Sequence, residues 1–178
     1  MFNLKYLFPI LCILSFCGDL LAQIEVESLK PQKNELSLTL KKSDAHGQSS
    51  VYNLSIQPNG RIFFEGILMT KIKGNVEANL SQAKINQLID EIVRADFFSL
   101  KDSYTPESKN CPWYMLDSPT IILSVKLNEK EKTIVHYLGC GEQNADETVI
   151  KSFPKQLNDL ENKIDEIVET KRWIGARK

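Results

Sequence analysis

The chain has 178 residues, with 22 basic against 23 acidic side chains, a net charge of −1, and 42% apolar residues. That length suits one domain once an N-terminal segment is removed. So even a charge balance leaves no electrostatic footprint for nucleic acid, and isolated pairs such as Lys41-Lys42 and Lys171-Arg172 are ordinary solvated charges.

The N-terminus reads as a secretory signal. Lys5 is its positive region, Tyr6–Phe16 its apolar run, and Leu20-Leu21-Ala22 puts a small residue at the cleavage position. The run falls short of the ~20 residues of a spanning helix, and no later stretch is apolar enough to cross a bilayer. Residues 1–22 are therefore expected to be removed, leaving an exported chain, periplasmic or secreted, that starts at Gln23. Leu14-Ser15-Phe16-Cys17 offers the alternative of lipid anchorage at Cys17, although Phe16 stands where lipoprotein signals place a small residue. Cleavage after Ala22 removes Cys12 and Cys17. Cys111 and Cys140 remain, and in an oxidising compartment a disulfide is their expected state.

Residues 23–34 lack a clear period, contain Pro31 and read as an extended leader to a single domain over 35–175. Glu35–Lys42 alternates, with Leu36, Leu38 and Leu40 inward, as a half-buried strand does. A polar loop with Gly47 leads to a second alternating run, Val51–Gln57. Pro58-Asn59-Gly60 is a turn signal, and Arg61–Glu65 is its partner strand. Gly66 suggests a bulge or bend, and Ile67–Lys73 a fourth strand. Over Ser81–Ala95 the stripe Ile85, Leu88, Ile89, Ile92 predicts a helix, with Ser81 as N-cap and Leu80 and Ile85 placed to staple it. Phe97 and Phe98 then plug the core.

Ser99–Ser118 has no period and is long for a loop in a compact domain. Thr120–Leu127 and Lys132–Leu138 follow as a hairpin, with Asn128, Glu129 and Lys130 in the turn. If Leu127 sits near Lys132, Cys140 falls opposite Pro119. A Cys111–Cys140 bond then ties the long loop to the base of the hairpin. Gly141–Asp146 reads as polar and mobile. A last helix is expected over Pro154–Lys171, with the stripe Leu157, Leu160, Ile164, Ile167, Val168, and Trp173 and Ile174 closing the core end. The order ββββαββα implies an α+β fold: an antiparallel sheet of about six strands packed against two helices.

Chemistry is sparse. His46 lies in a loop, and His136 is expected on the solvent face of its strand. Ser118, His136 and Asp117 could form a relay, but no nucleophile-elbow glycine pattern accompanies them. No Cys-x-x-Cys or His-x-x-x-His spacing points to a metal, and no cofactor is implied. Asp102, Glu107 and Asp117 place acids in the long loop, where an Asp before Ser-Pro most often shapes a turn. Its aromatic residues Tyr104, Trp113 and Tyr114, with Met115, are either recognition anchors or a lid over the core.

Several stretches carry a resemblance: Ile89-Asp90-Glu91 through Ala95-Asp96-Phe97-Phe98-Ser99-Leu100, Asp102-Ser103-Tyr104, Cys111-Pro112, Asp117-Ser118-Pro119-Thr120, His136-Tyr137-Leu138-Gly139-Cys140, Ile164-Asp165-Glu166 and Arg172-Trp173-Ile174-Gly175. From Glu35 to Gly175 the chain resembles the bacterial family called domain of unknown function 6438. The resemblance implies an exported bacterial domain and no particular activity. It also implies a cysteine-rich segment before the Val-Tyr strand in many members, whereas Asp44–Ser50 here has no cysteine. Cys111 and Cys140 do match the family, in support of their pairing. The expected function is a non-enzymatic binding or structural module of the cell envelope or secreted space. Its partner would be a protein or small ligand, met by a surface of Tyr104, Trp113, Tyr114, Asp117 and His136. The alternative is a hydrolase that uses acids of the 99–118 loop with His136.

Overall fold

Leu36, Leu38 and Leu40 alternate with polar neighbours and are almost completely buried, so the first strand carries the centre of the core. In the computed structural model the described residues are 35–44, 49–143, 149–151 and 153–175, with backbone only for 143 and 149–151. The expected signal, leader and His46 lie outside them.

The strands are β1 (Leu36–Lys42), β2 (Val51–Ile56), β3 (Arg61–Leu68), β4 (Gly74–Asn79), β5 (Ser103–Tyr104), β6 (Trp113–Tyr114), β7 (Thr120–Leu127), β8 (Lys130–Tyr137), β9 (Cys140–Gln143) and β10 (Val149–Lys151). The helices are α1 (Gln82–Arg94), α2 (Lys155–Val168) and the short α3 (Lys171–Ile174). Seven strands form one sheet in the order β4-β3-β2-β1-β7-β8-β5, and β10-β9-β6 form a second, smaller one. Every pairing is antiparallel except β5 with β8. The class is the expected α+β, with more strands than the alternation alone revealed.

One core joins the inward leucines of β1 to Leu54, Phe64, Leu123 and Ile134, and to Leu88 and Ile92 of α1 and Leu160 and Ile164 of α2. At one end Tyr52, Phe64 and Trp173 stack in a column, with centroids 5.5 and 4.9 Å apart, so Trp173 closes the core as expected. Polar residues such as Thr39, Asn53, Ser55 and Ser124 take the alternate positions, as a sheet solvated on one face requires. Ser81 caps α1, its Oγ accepting the Lys84 amide at 3.4 Å. Ser81→Ala is expected to lower stability by about 1 kcal/mol, read as an earlier midpoint in urea.

Several boundaries differ from expectation. The fourth strand is Gly74–Asn79, not Ile67–Lys73, because β3 continues through Gly66 to Leu68. The amides of Lys71 and Ile72 are spent on the carbonyls of Ile174 and Trp173. β4 is a polar edge strand, and edges are often blunted that way. The bulge lies beside Gly66: Val51 faces Leu68 and Tyr52 faces Gly66, leaving Ile67 extra. A Cβ on Gly66 would sit 2.0 Å from the Ile72 carbonyl oxygen, so only glycine fits.

The hairpin turn is two residues, Asn128 and Glu129, and Leu127 faces Lys130 rather than Lys132. Pro119 therefore meets Leu138, not Cys140. The slip is even, so the same faces of the two strands stay paired. Gly141–Gln143 belong to β9 rather than to a mobile turn. The last helix begins after Pro154, which is its N-cap, and stops at Val168 because Glu169 turns left-handed (φ +61).

Candidate functional site

The segment between α1 and β7 has little periodicity because its strands are only two residues long. Asp96 turns left-handed (φ +47) after α1, and a 3₁₀ turn at Phe97–Ser99 buries Phe97 completely and Phe98 in part. Ser103 and Tyr104 then lie parallel to Val135 and His136 at the sheet edge. Thr105 and Ser108 form a local turn, in which the Ser108 Oγ accepts the Thr105 amide at 3.0 Å and donates to its carbonyl at 2.9 Å. Cys111 is bonded to Cys140, with Cα atoms 5.4 Å apart, as expected. Trp113 and Tyr114 pair with Gly141 and Cys140.

The chain next wraps the end of β8. Met115 donates its amide to the Gly139 carbonyl at 2.9 Å. The Tyr137 hydroxyl donates to the Met115 carbonyl at 2.9 Å and accepts the Ser118 amide at 3.0 Å. Gly139 permits this approach, since a Cβ there would lie 2.4 Å from the Met115 oxygen. Asp117 takes a left-handed backbone conformation (φ +58). Between these ties Tyr114, Met115 and Leu116 stand in solvent, and Leu116 is 71% exposed. A short run of exposed apolar side chains on backbone fixed at both ends is the geometry of a docking loop.

The five residues expected to share one surface divide. Tyr114 and Asp117 are exposed and Trp113 is half-buried. Tyr104 and His136 belong to the core: Tyr104 is buried, its hydroxyl accepting the Lys101 amide at 3.0 Å, and His136 is completely buried. His136 lies opposite Ile121 and two residues after Ile134, on the inward face of β8, so it is not a surface histidine.

The partner of His136 is Glu161 of α2, whose carboxylate oxygens lie 2.9 and 3.0 Å from Nδ1. His136 Nε2 has no partner among the described residues. Burial pushes the Glu161 carboxyl above its ordinary range, against the opposing pull of His136 and Lys42. One helical turn on, Asp165 accepts the Tyr52 hydroxyl at 2.7 Å and the Thr170 hydroxyl at 2.8 Å. This polar seam binds α2 to the sheet from inside the core.

The relay of Ser118, Asp117 and His136 is not assembled, because Ser118 Oγ donates to the Met115 carbonyl and His136 Nδ1 faces Glu161. Asp102 instead pairs with Lys132 at 2.8 Å, on an open depression it shares with Phe98, Lys130 and Thr133. Asp117 and His136 do not line that depression. Two contributors escaped the sequence reading. Glu161 sits four residues after Leu157 and three before Ile164, on the apolar stripe, and that position was its signal. Leu116 lies in a run with no period, and nothing local marks it.

Among the described residues no helix is long and apolar enough to cross a membrane. A search of curated proteins finds no match to the chain. A family model does match residues 36–168, from the first strand to the last turn of α2 and across both cysteines, and the chain belongs to that family, described as Domain of unknown function (DUF6438).

Proposed function

We propose that this domain is an exported, non-enzymatic binding or structural module of the bacterial envelope or secreted space, and that it meets a protein partner through Tyr114, Met115 and Leu116. The observation that carries this reading is the contrast between their exposure and the rigidity of the backbone beneath them, tied by the disulfide and by Tyr137. Exposed side chains on an ordered loop bind without first losing backbone entropy. The export reading rests on the Lys5 to Ala22 pattern and on a disulfide suited to an oxidising compartment.

A photo-crosslinking residue at position 116, in the full chain in its own cells, should give one adduct of discrete mass. The same residue at Val93, exposed on α1, should not. Tyr114→Ser with Leu116→Ser in the partner-binding form should abolish capture while shifting stability by less than about 0.5 kcal/mol, as surface changes do. Equal adducts at 93 and 116 would refute the loop's role. The N-terminal residue of the recovered chain should be Gln23; an intact Met1 would refute export by cleavage.

A further inference from the structure

The end of β3 and its connection to β4 place four large apolar side chains in solvent within six residues: Ile67, Leu68, Met69 and Ile72, with Met69 57% exposed. Lys71 and Lys73 are interleaved with them and also exposed. The turn is not slack. Lys71 and Ile72 donate amides to Ile174 and Trp173 of α3 at 3.3 and 2.9 Å. Ser50 Oγ donates to the Met69 carbonyl at 2.8 Å, and Thr70 is buried beneath. Met69 is held at φ +52, a conformation costly for a residue with a Cβ and one that points to function when the surroundings enforce it.

The two hydrogen bonds to Ile174 and Trp173 bring the C-terminal end of α3 beside this tip. Among the described residues Lys71 and Lys73 have no ion-pair partner, whereas Lys171 acts on Glu166, and Arg172 pairs with Glu169 at 3.9 Å and lies over the Trp173 ring at 4.2 Å. Asp44, in the adjacent β1–β2 connection, accepts the Ser49 amide and hydroxyl. The tip is thus an apolar wedge with a basic surround. Apolar side chains enter the acyl boundary while lysines meet anionic head groups, and two unpaired lysines set among exposed apolar side chains suit that boundary.

We infer that the β3–β4 tip docks onto the surface of an anionic phospholipid bilayer, inserting Leu68, Met69 and Ile72 and placing Lys71 and Lys73 among the head groups. The proposal is independent of the Tyr114–Leu116 loop and uses none of its residues.

The test is oxidation footprinting of the full chain by mild peroxide, read at Met69 by mass spectrometry. Phosphatidylglycerol vesicles should slow Met69 oxidation at least about tenfold, whereas phosphatidylcholine vesicles should leave it unchanged. Lys71→Gln with Lys73→Gln should raise the vesicle concentration for half-protection ~25-fold, at about fivefold for each lysine. Both lysines are exposed, so the variant should fold normally. If Met69 oxidises at its free rate on vesicle-bound protein, another part of the chain holds the lipid and the proposal fails. Equal protection by neutral vesicles overturns it, as does protection that grows with protein concentration without lipid, the mark of self-association.

Discussion

Replacing His136 with alanine should cost about 3–5 kcal/mol of stability, the effect of leaving a buried charge without its partner. His136 is completely buried and Glu161 nearly so, and each offers the other its short contact. Without the imidazole, Glu161 keeps its desolvation penalty and loses the hydrogen bond and the attraction that oppose it. Urea titration of the wild type and the variant measures the difference. His136→Leu with Glu161→Leu should recover most of it, because a well-packed apolar pair often replaces a buried ionic one at little cost. A double variant no better than His136→Ala would show that the seam is not an isolated pair.

The pH dependence has a definite sign. Burial raises the pKa of the folded Glu161 carboxyl above its ordinary value. A raised group contributes its full stability below the unfolded value and loses it as pH climbs through the folded one. Removing His136 raises that carboxyl further. The Glu161 part of the penalty should therefore be small near pH 4 and grow toward neutrality. A penalty that shrinks as pH rises would contradict this assignment.

Reduction of Cys111–Cys140, or replacement of both by alanine, should cost about 3–4 kcal/mol on the chain-entropy estimate for a 29-residue separation. The loss should appear first in the loop. Beyond the bond, Trp113 and Tyr114 have only a two-residue pairing with β9, and Met115 and Ser118 hang on Gly139 and Tyr137. Amide exchange at Met115 and Ser118 should quicken by orders of magnitude while Leu40 and Leu54 stay protected. An unchanged unfolding midpoint in reductant would mean that the bond constrains nothing in the unfolded chain.

Most of the scaffold is legible because its strands and helices obey one period each. Leu36-Leu38-Leu40, Ile121-Leu123-Val125 and the stripe of α1 occupy the buried positions that alternation and helical spacing require. The failures share a cause: the decisive contacts are distant. β5 and β6 exist only because Val135, His136, Cys140 and Gly141 lie beside them. β4 is strand by edge pairing and not by propensity, since Gly74-Asn75 and Asn79 are poor strand formers. Two of the five candidate surface residues were misread for a related reason. His136 and Tyr104 are polar-tipped residues in inward phase, and only their partners, Glu161 and the Lys101 amide, explain their burial.

The position of β1 has a consequence for how the chain is made. Among the described residues it is the first strand to be synthesised, yet it sits mid-sheet, between β2 and β7, with Leu36 facing Leu127. One side can pair with β2 at once; the other must wait for β7 to emerge. At roughly 5–20 residues per second the wait is on the order of ten seconds. During it Leu36, Leu38 and Leu40 lie on an open strand edge, a template for another chain. Cys111 also lacks its partner until after β8. The nascent chain should therefore be most prone to aggregate with the four-strand meander complete and β7 still missing, and chains truncated before Thr120 should need a holding chaperone that the complete chain does not.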